Sequence, residues 1–185
     1  MIAVIAVLAG LLFPAIQSVL ERAKKVQAKN DLTQVVTAVN AFYTEYGRYP
    51  LPSSVTADSS ATYGPGGSSA ENGDLMKELR GISSSINTRQ IAFISPPDAK
   101  DQTNPRSGSN TTTGGYYDPW GTEYAIAMDA DYDNQVTPNP YGNNNGAGAS
   151  PLRQGAIAWS LGKDKKIGNN GDGKFIGSDD VISWQ

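Results

Sequence analysis

The chain contains no cysteine and no histidine. Without cysteine there is no disulfide and no thiolate nucleophile, and without histidine there is no Ser-His-Asp triad. Ordinary zinc and copper sites, which depend on those two side chains, are excluded with them. Charge is also sparse: charged residues make up 18% of the 185 residues, and the net charge is −3. Phosphate binding needs a basic face, so this balance argues against a nucleic acid partner. The hydrophobic share of 38% is too low for a multi-span membrane protein and suits a modest core carrying long loops rich in Gly, Ser, Asn, Thr and Pro.

What is present is unevenly placed. Residues 1–20, MIAVIAVLAGLLFPAIQSVL, carry no charge, and the first charged residues are Glu21 and Arg22. A run of that length is just enough to span a bilayer as a helix, although Pro14 inside it would kink the helix unless neighbours compensate. It lacks the basic start and cleavage pattern of a cleavable signal peptide. The apolar spacing then continues through Val26, Leu32, Val35, Val36, Val39, Phe42, Tyr43 and Tyr46, at steps of three and four with polar residues between. Gly47 and Tyr49-Pro50 supply the stop. This predicts one helix over about residues 1–46, some 70 Å long. Its half over 1–20 is apolar all round, its half over 21–46 is apolar on one side, and the head over 47–185 follows. Phe42, Tyr43 and Tyr46 read as core. Arg22, Lys24, Lys25 and Lys29 read as the boundary beside anionic lipid headgroups.

Beyond the helix, Leu51 to Asn72 reads as a loop, and Asp74 to Leu79 as a short helix with Leu75, Met76 and Leu79 on one face. Ile91 to Ile94 fits a short strand or loop packing, and Lys100 to Gly115 reads as loop. Thr122–Met128 and Gly155–Ser160 alternate as strands, Val181–Trp184 as a last short strand or ordered tail. Asp129 to Pro151, which includes YGNNNGAGAS, reads as a long flexible loop. In Asp118-Pro119-Trp120-Gly121 the Pro and Gly shape a turn, and Trp120 is expected to pack on the long helix.

Two Asp-rich segments invite a hard cation, which prefers several oxygen ligands in flexible loops. The segment LGKDKKIGNNGDGKFIGSDDV offers Asp164, Asp172, Asp179 and Asp180. The run Asp129-Ala-Asp131-Tyr-Asp133-Asn134 resembles the start of an EF-hand loop, but Asn134 and Pro140 stand where its Gly and Glu belong. A structural turn is the better reading of that run.

The stretch AVIAVLAGLLFPAIQSVLERAKKVQAKNDLTQVVTAVNAFYTEYGRYP resembles the N-terminal helix of type IV pilins and pseudopilins. The resemblance lies in the Pro after the apolar run, the A-K-x-x-Q-A-K-N-D-L segment and the closing Y-x-x-x-x-G-x-Y-P. Residues 117–124, YDPWGTEY, are similar to the D-P-W-G-x-x-Y signature of the major pseudopilin of type II secretion. Ser160 to Asp164 and Asp179 to Trp184 resemble that family's closing S-L-G-x-D-G and D-D-I-x-x-W segments.

The resemblance implies an α+β pilin-like fold, a long N-terminal helix packed on a small antiparallel sheet with extended loops. It implies no enzymatic activity but a subunit that polymerises through its N-terminal helix. The alternative is the major subunit of a long extracellular pilus for adhesion or motility. The implied partners are copies of the chain, the inner-membrane assembly platform, minor pseudopilins, and the prepilin peptidase that removes a short basic leader. The implied location is the inner membrane, with the head in the periplasm, and then a filament. The family's opening Phe-Thr-Leu-Ile-Glu-Leu segment does not appear, so Met1 is expected to fall about eight residues inside the family's helix. The resemblance also implies a Ca²⁺ loop, with carboxylates from Asp164 and Asp180, a carbonyl from Leu161 and a further contact from Asp179. A hydrolase or sugar-binding head on an anchor is a weaker alternative, because no carboxylate pair has an evident apolar pocket.

Overall fold

Leu32, Val35, Val39 and Phe42 recur at helical spacing, and all four are buried on one face of a single helix, α1, Ile2–Tyr46. The structure is a computed structural model that describes residues 2–51, 62–65 and 71–185, with the side chains of α1 from residue 16 onward. At 1.5 Å per residue α1 is about 68 Å long, and it runs through Pro14 without interruption. Gly47 ends it in the left-handed region at φ +68°, donating its amide to the Tyr43 carbonyl at 2.8 Å. No helix among the described residues is long and apolar enough to cross a membrane. Most of the apolar half expected over 1–20 lies outside the described side chains, as does most of the loop expected over 51–72.

The head is α+β. A short helix, α2, Gly73–Leu79, buries Leu75, Met76 and Leu79 and packs on α1. A two-stranded ribbon pairs β1, Gly108–Ser109, with β2, Tyr116–Tyr117. The main sheet is antiparallel in the order β3 Ala125–Met128, β4 Ala156–Ser160, β5 Val181–Ile182. Its register sets Met128 opposite Ala156 and Trp159 opposite both Ala125 and Ile182. Alternation along each strand divides the core in two. Ile126, Met128, Ala156, Ala158 and Val181 face α1, where the small alanines let the helix approach closely. Ala125, Ala127, Ile157, Trp159 and Ile182 face the other way.

That second face corrects one expectation. The segment from 129 to 155 is not a free loop: Val136, Tyr141, Ala147 and Leu152 are buried against the sheet, and Val136 pairs with Leu152. Two α1 residues also depart from expectation. Val26 is 70% exposed and Tyr43 is 39% exposed, because the head covers only one side of the helix. Residues 91–94 pack as loop, with the Phe93 amide donating to the Leu79 carbonyl. The expected loop over 100–115 contains β1.

The Asp118-Pro-Trp-Gly turn builds structure rather than a pocket. Asp118 is fully buried and accepts the amides of Trp120 and Thr122 at 2.9 Å and the Ser160 hydroxyl at 2.6 Å. Trp120 in turn donates its indole N–H to Glu21 at 3.0 Å, tying the turn to α1.

Asp31 lies buried between α1 and the sheet and accepts the Tyr124 hydroxyl at 2.8 Å. Burial raises its pKa above the ordinary 3.8, with the hydrogen bonds from Tyr124 and Tyr116 partly opposing it. The folded state therefore holds its proton to higher pH than the unfolded chain, and stability falls as pH rises from about 3.8 through the folded pKa. Asp31→Asn is expected to flatten that part of the pH profile and to raise the melting temperature at pH 7. Melting curves at pH 4 and pH 7 check this, and an unchanged slope counts against it.

Candidate metal centre

Antiparallel pairing of β4 with β5 assembles the site. The chain leaves β4 at Ser160, turns at Leu161-Gly162, and returns through residues 163–180 to Val181. Residues just after β4 therefore lie beside residues just before β5, and Asp164 meets Asp179 and Asp180. A glycine is needed at 162, where φ is +63° and a Cβ would stand 2.6 Å from the Asp179 carbonyl oxygen.

One carboxylate oxygen from each of Asp164, Asp179 and Asp180 lies within 4.8 Å of the others. Ca²⁺ binds oxygen at about 2.3–2.6 Å, so oxygens at that spacing are close enough, to within a few tenths of an ångström, to share one ion. Much of the carboxylate capacity orders the loop. Asp179 Oδ2 accepts the amides of Lys163 and Asp164 at 2.5 and 3.0 Å. Asp164 accepts the amides of Lys166 at 2.9 Å and Asn170 at 2.7 Å.

Asp180 is different. It is 4% exposed; its Oδ2 accepts the Gly168 amide at 2.7 Å and the Tyr141 hydroxyl at 2.8 Å, while its Oδ1 is buried with no partner. Burial pushes its pKa up to about 6, and the charges of Asp179 and Asp164 add to the effect. A buried, unpaired carboxylate oxygen is costly unless something positive meets it. The donors here are all oxygen, so the residues fit a hard divalent cation.

Of the residues expected at the site, Asp164, Asp179 and Asp180 come together. Leu161 stands at the end of β4 with its side chain in the second core, next to the glycine that packs on Asp179. Asp172 stays apart, accepting the amides of Asn169 and Lys174 in its own exposed turn. The Asp129-Asp131-Asp133 run also gathers its oxygens. There, however, the buried Asp129 accepts the amides of Tyr132, Asp133 and Asn134, which is the work of a turn.

Three contributors were not legible in the sequence. Tyr141 reaches Asp180 across 39 residues. Lys25 donates to the Ser178 carbonyl at 3.4 Å, and Lys29 to the carbonyls of Ile182 at 2.7 Å, Ser183 at 3.1 Å and Gln185. These two lysines tie the exit of the acidic loop to α1. Burial lowers the Lys29 pKa.

No family model, curated protein or solved structure matches the chain.

Proposed function

We propose that the chain is a structural subunit of a type IV pilus-like filament, of the kind the major pseudopilin forms in bacterial type II secretion. The observation that carries this reading is on α1. The helix continues past the head as one rod, and there it leaves Ile16, Val19 and Leu20 more than half exposed. Nothing among the described residues covers that exposed surface, and another apolar environment, either lipid or the stems of sister copies, would bury it. A long helix with a small antiparallel sheet packed on one side is the arrangement a pilin-like fold requires.

The function is mechanical rather than catalytic. A precursor trimmed by prepilin peptidase waits in the inner membrane with its head in the periplasm. An assembly platform then adds it to a filament begun by minor pseudopilins, and the growing filament pushes exported protein outward. Ca²⁺ held by Asp164, Asp179 and Asp180 would neutralise their mutual repulsion and close the 163–180 loop. Lys25 and Lys29 carry that closure to α1.

The test is electron microscopy of the full chain after detergent is removed in calcium. Filaments are expected, and none from a chain lacking residues 1–20 that still melts cooperatively. A full chain that stays monodisperse overturns the proposal.

A further inference from the structure

The far end of α1 carries an exposed aromatic surface. Tyr43 and Tyr132 are 39% and 48% exposed, and both stack on the buried Tyr49, with centroids 4.7 and 5.7 Å away. The arrangement is held in place rather than loosely collapsed. Tyr132 sits at φ +64°, an unfavourable region for a bulky residue, fixed by the three amides that donate to Asp129. Its hydroxyl accepts the Tyr49 amide at 3.3 Å. On either side in sequence stand Asp131 and Asp133, both exposed. Nearby, Glu45 is already paired with Arg89, and Arg48 reaches the Ile86 carbonyl. Asp133 accepts the backbone and side-chain amides of Gln135 at 2.8 and 3.1 Å, and neither carboxylate is paired with a cation among the described residues. Aromatic faces flanked by such carboxylates suit an ammonium or guanidinium group, through cation–π attraction and ion pairing together.

The chain carries a matching group at the other end of its head. Lys163, Lys165 and Lys166 are exposed, and none forms an ion pair among the described residues. Their loop lies against Lys25, which lines one pocket with Lys163, Asp164 and Asp179. Lys25 and Tyr43 are eighteen residues apart on α1. That is five full turns, about 27 Å, so the two surfaces lie on the same side of the rod, one above the other.

We propose that the Tyr43–Tyr132 surface receives the lysine loop of a second copy, offset along the rod by about that length. The ammonium groups of Lys165 and Lys166 lie against the rings and pair with Asp131 and Asp133. This rests on the filament reading and adds a contact between heads to the packing of stems. It also gives the cation a second task. Between residues 161 and 180 four lysines balance four aspartates, so a bound divalent cation leaves that loop positive, ready for the acidic surface.

A charge swap in the full chain, assembled in calcium, tests the contact. D131K/D133K and K165D/K166D are each expected to lower the yield of sedimentable filament about tenfold. The chain carrying all four changes is expected to recover close to the parent yield. Filaments that form equally well from both double variants overturn this contact and leave the filament reading standing. So does a fourfold variant that fails to recover while keeping parental melting and calcium response. A parent chain that never polymerises overturns both readings. Oligosaccharide binding that is lost in Tyr132→Ala, with filament yield unchanged, assigns the surface to a sugar and overturns the contact between copies.

Discussion

Chelation of calcium is expected to lower the melting temperature of the full chain in detergent by about 5–10 °C, and Asp180→Ala to abolish the difference between chelator and calcium. The size follows from linkage: an ion present at a hundred times its dissociation constant stabilises by about 2.7 kcal/mol. For a chain of this length each kcal/mol moves the midpoint by about 2–4 °C. Asp180 is the decisive residue because its Oδ1 is buried with no partner, whereas Asp164 and Asp179 are partly exposed and committed to loop amides. Asp180→Asn separates the two consequences of the change. It keeps the shape and a hydrogen-bond acceptor for Tyr141 while removing a charge that burial disfavours. Its melting in chelator should equal or exceed that of the parent, and calcium should add nothing. Identical melting of the parent with and without calcium would leave the three carboxylates as loop scaffolding only.

The parts of this architecture that could be read from sequence are those fixed by local chemistry. The single helix to Tyr46 follows from apolar spacing and a glycine that closes it at φ +68°. Strands β3 and β4 follow from alternation, and the Asp118 turn from its Pro and Gly. The grouping of Asp164 with Asp179 and Asp180 is implied by the family resemblance rather than by spacing, which offers Asp172 equally, and the pairing of the two flanking segments brings it about. What could not be read is long-range. Val136, Tyr141, Ala147 and Leu152 have no common period, yet they cover the second face of the sheet, because a two-faced sheet must be buried on both sides. The ribbon strands β1 and β2 have two residues each, too few for any period to show. The contacts from Lys25 and Lys29 to the C-terminal carbonyls depend on where the last strand docks on α1, which residue spacing does not encode.

Phe42→Ala is expected to destabilise the folded chain by about 3–5 kcal/mol, and Val26→Ala by less than about 0.5 kcal/mol, although both positions belong to the same apolar pattern on α1. Phe42 is fully buried and packs its ring on Phe93 at 5.4 Å and on Tyr46 at 4.5 Å. Truncating it opens a cavity where α1 meets the loop after α2, and a cavity adds to the lost transfer energy because the surroundings relax only in part. Val26, 70% exposed, makes no comparable contact within one copy, so the monomer loses almost nothing. Denaturant melts of the two variants measure the difference, and equal effects would mean that the head does not pack on α1 in the way described. The pair also separates the two duties of the helix. Phe42 holds the head to its own stem, whereas Val26, like Ile16, Val19 and Leu20, is left exposed among the described residues and is the surface the proposed filament contact would bury. Replacing Val26 with a charged residue should therefore leave melting of the single copy unchanged and lower filament yield.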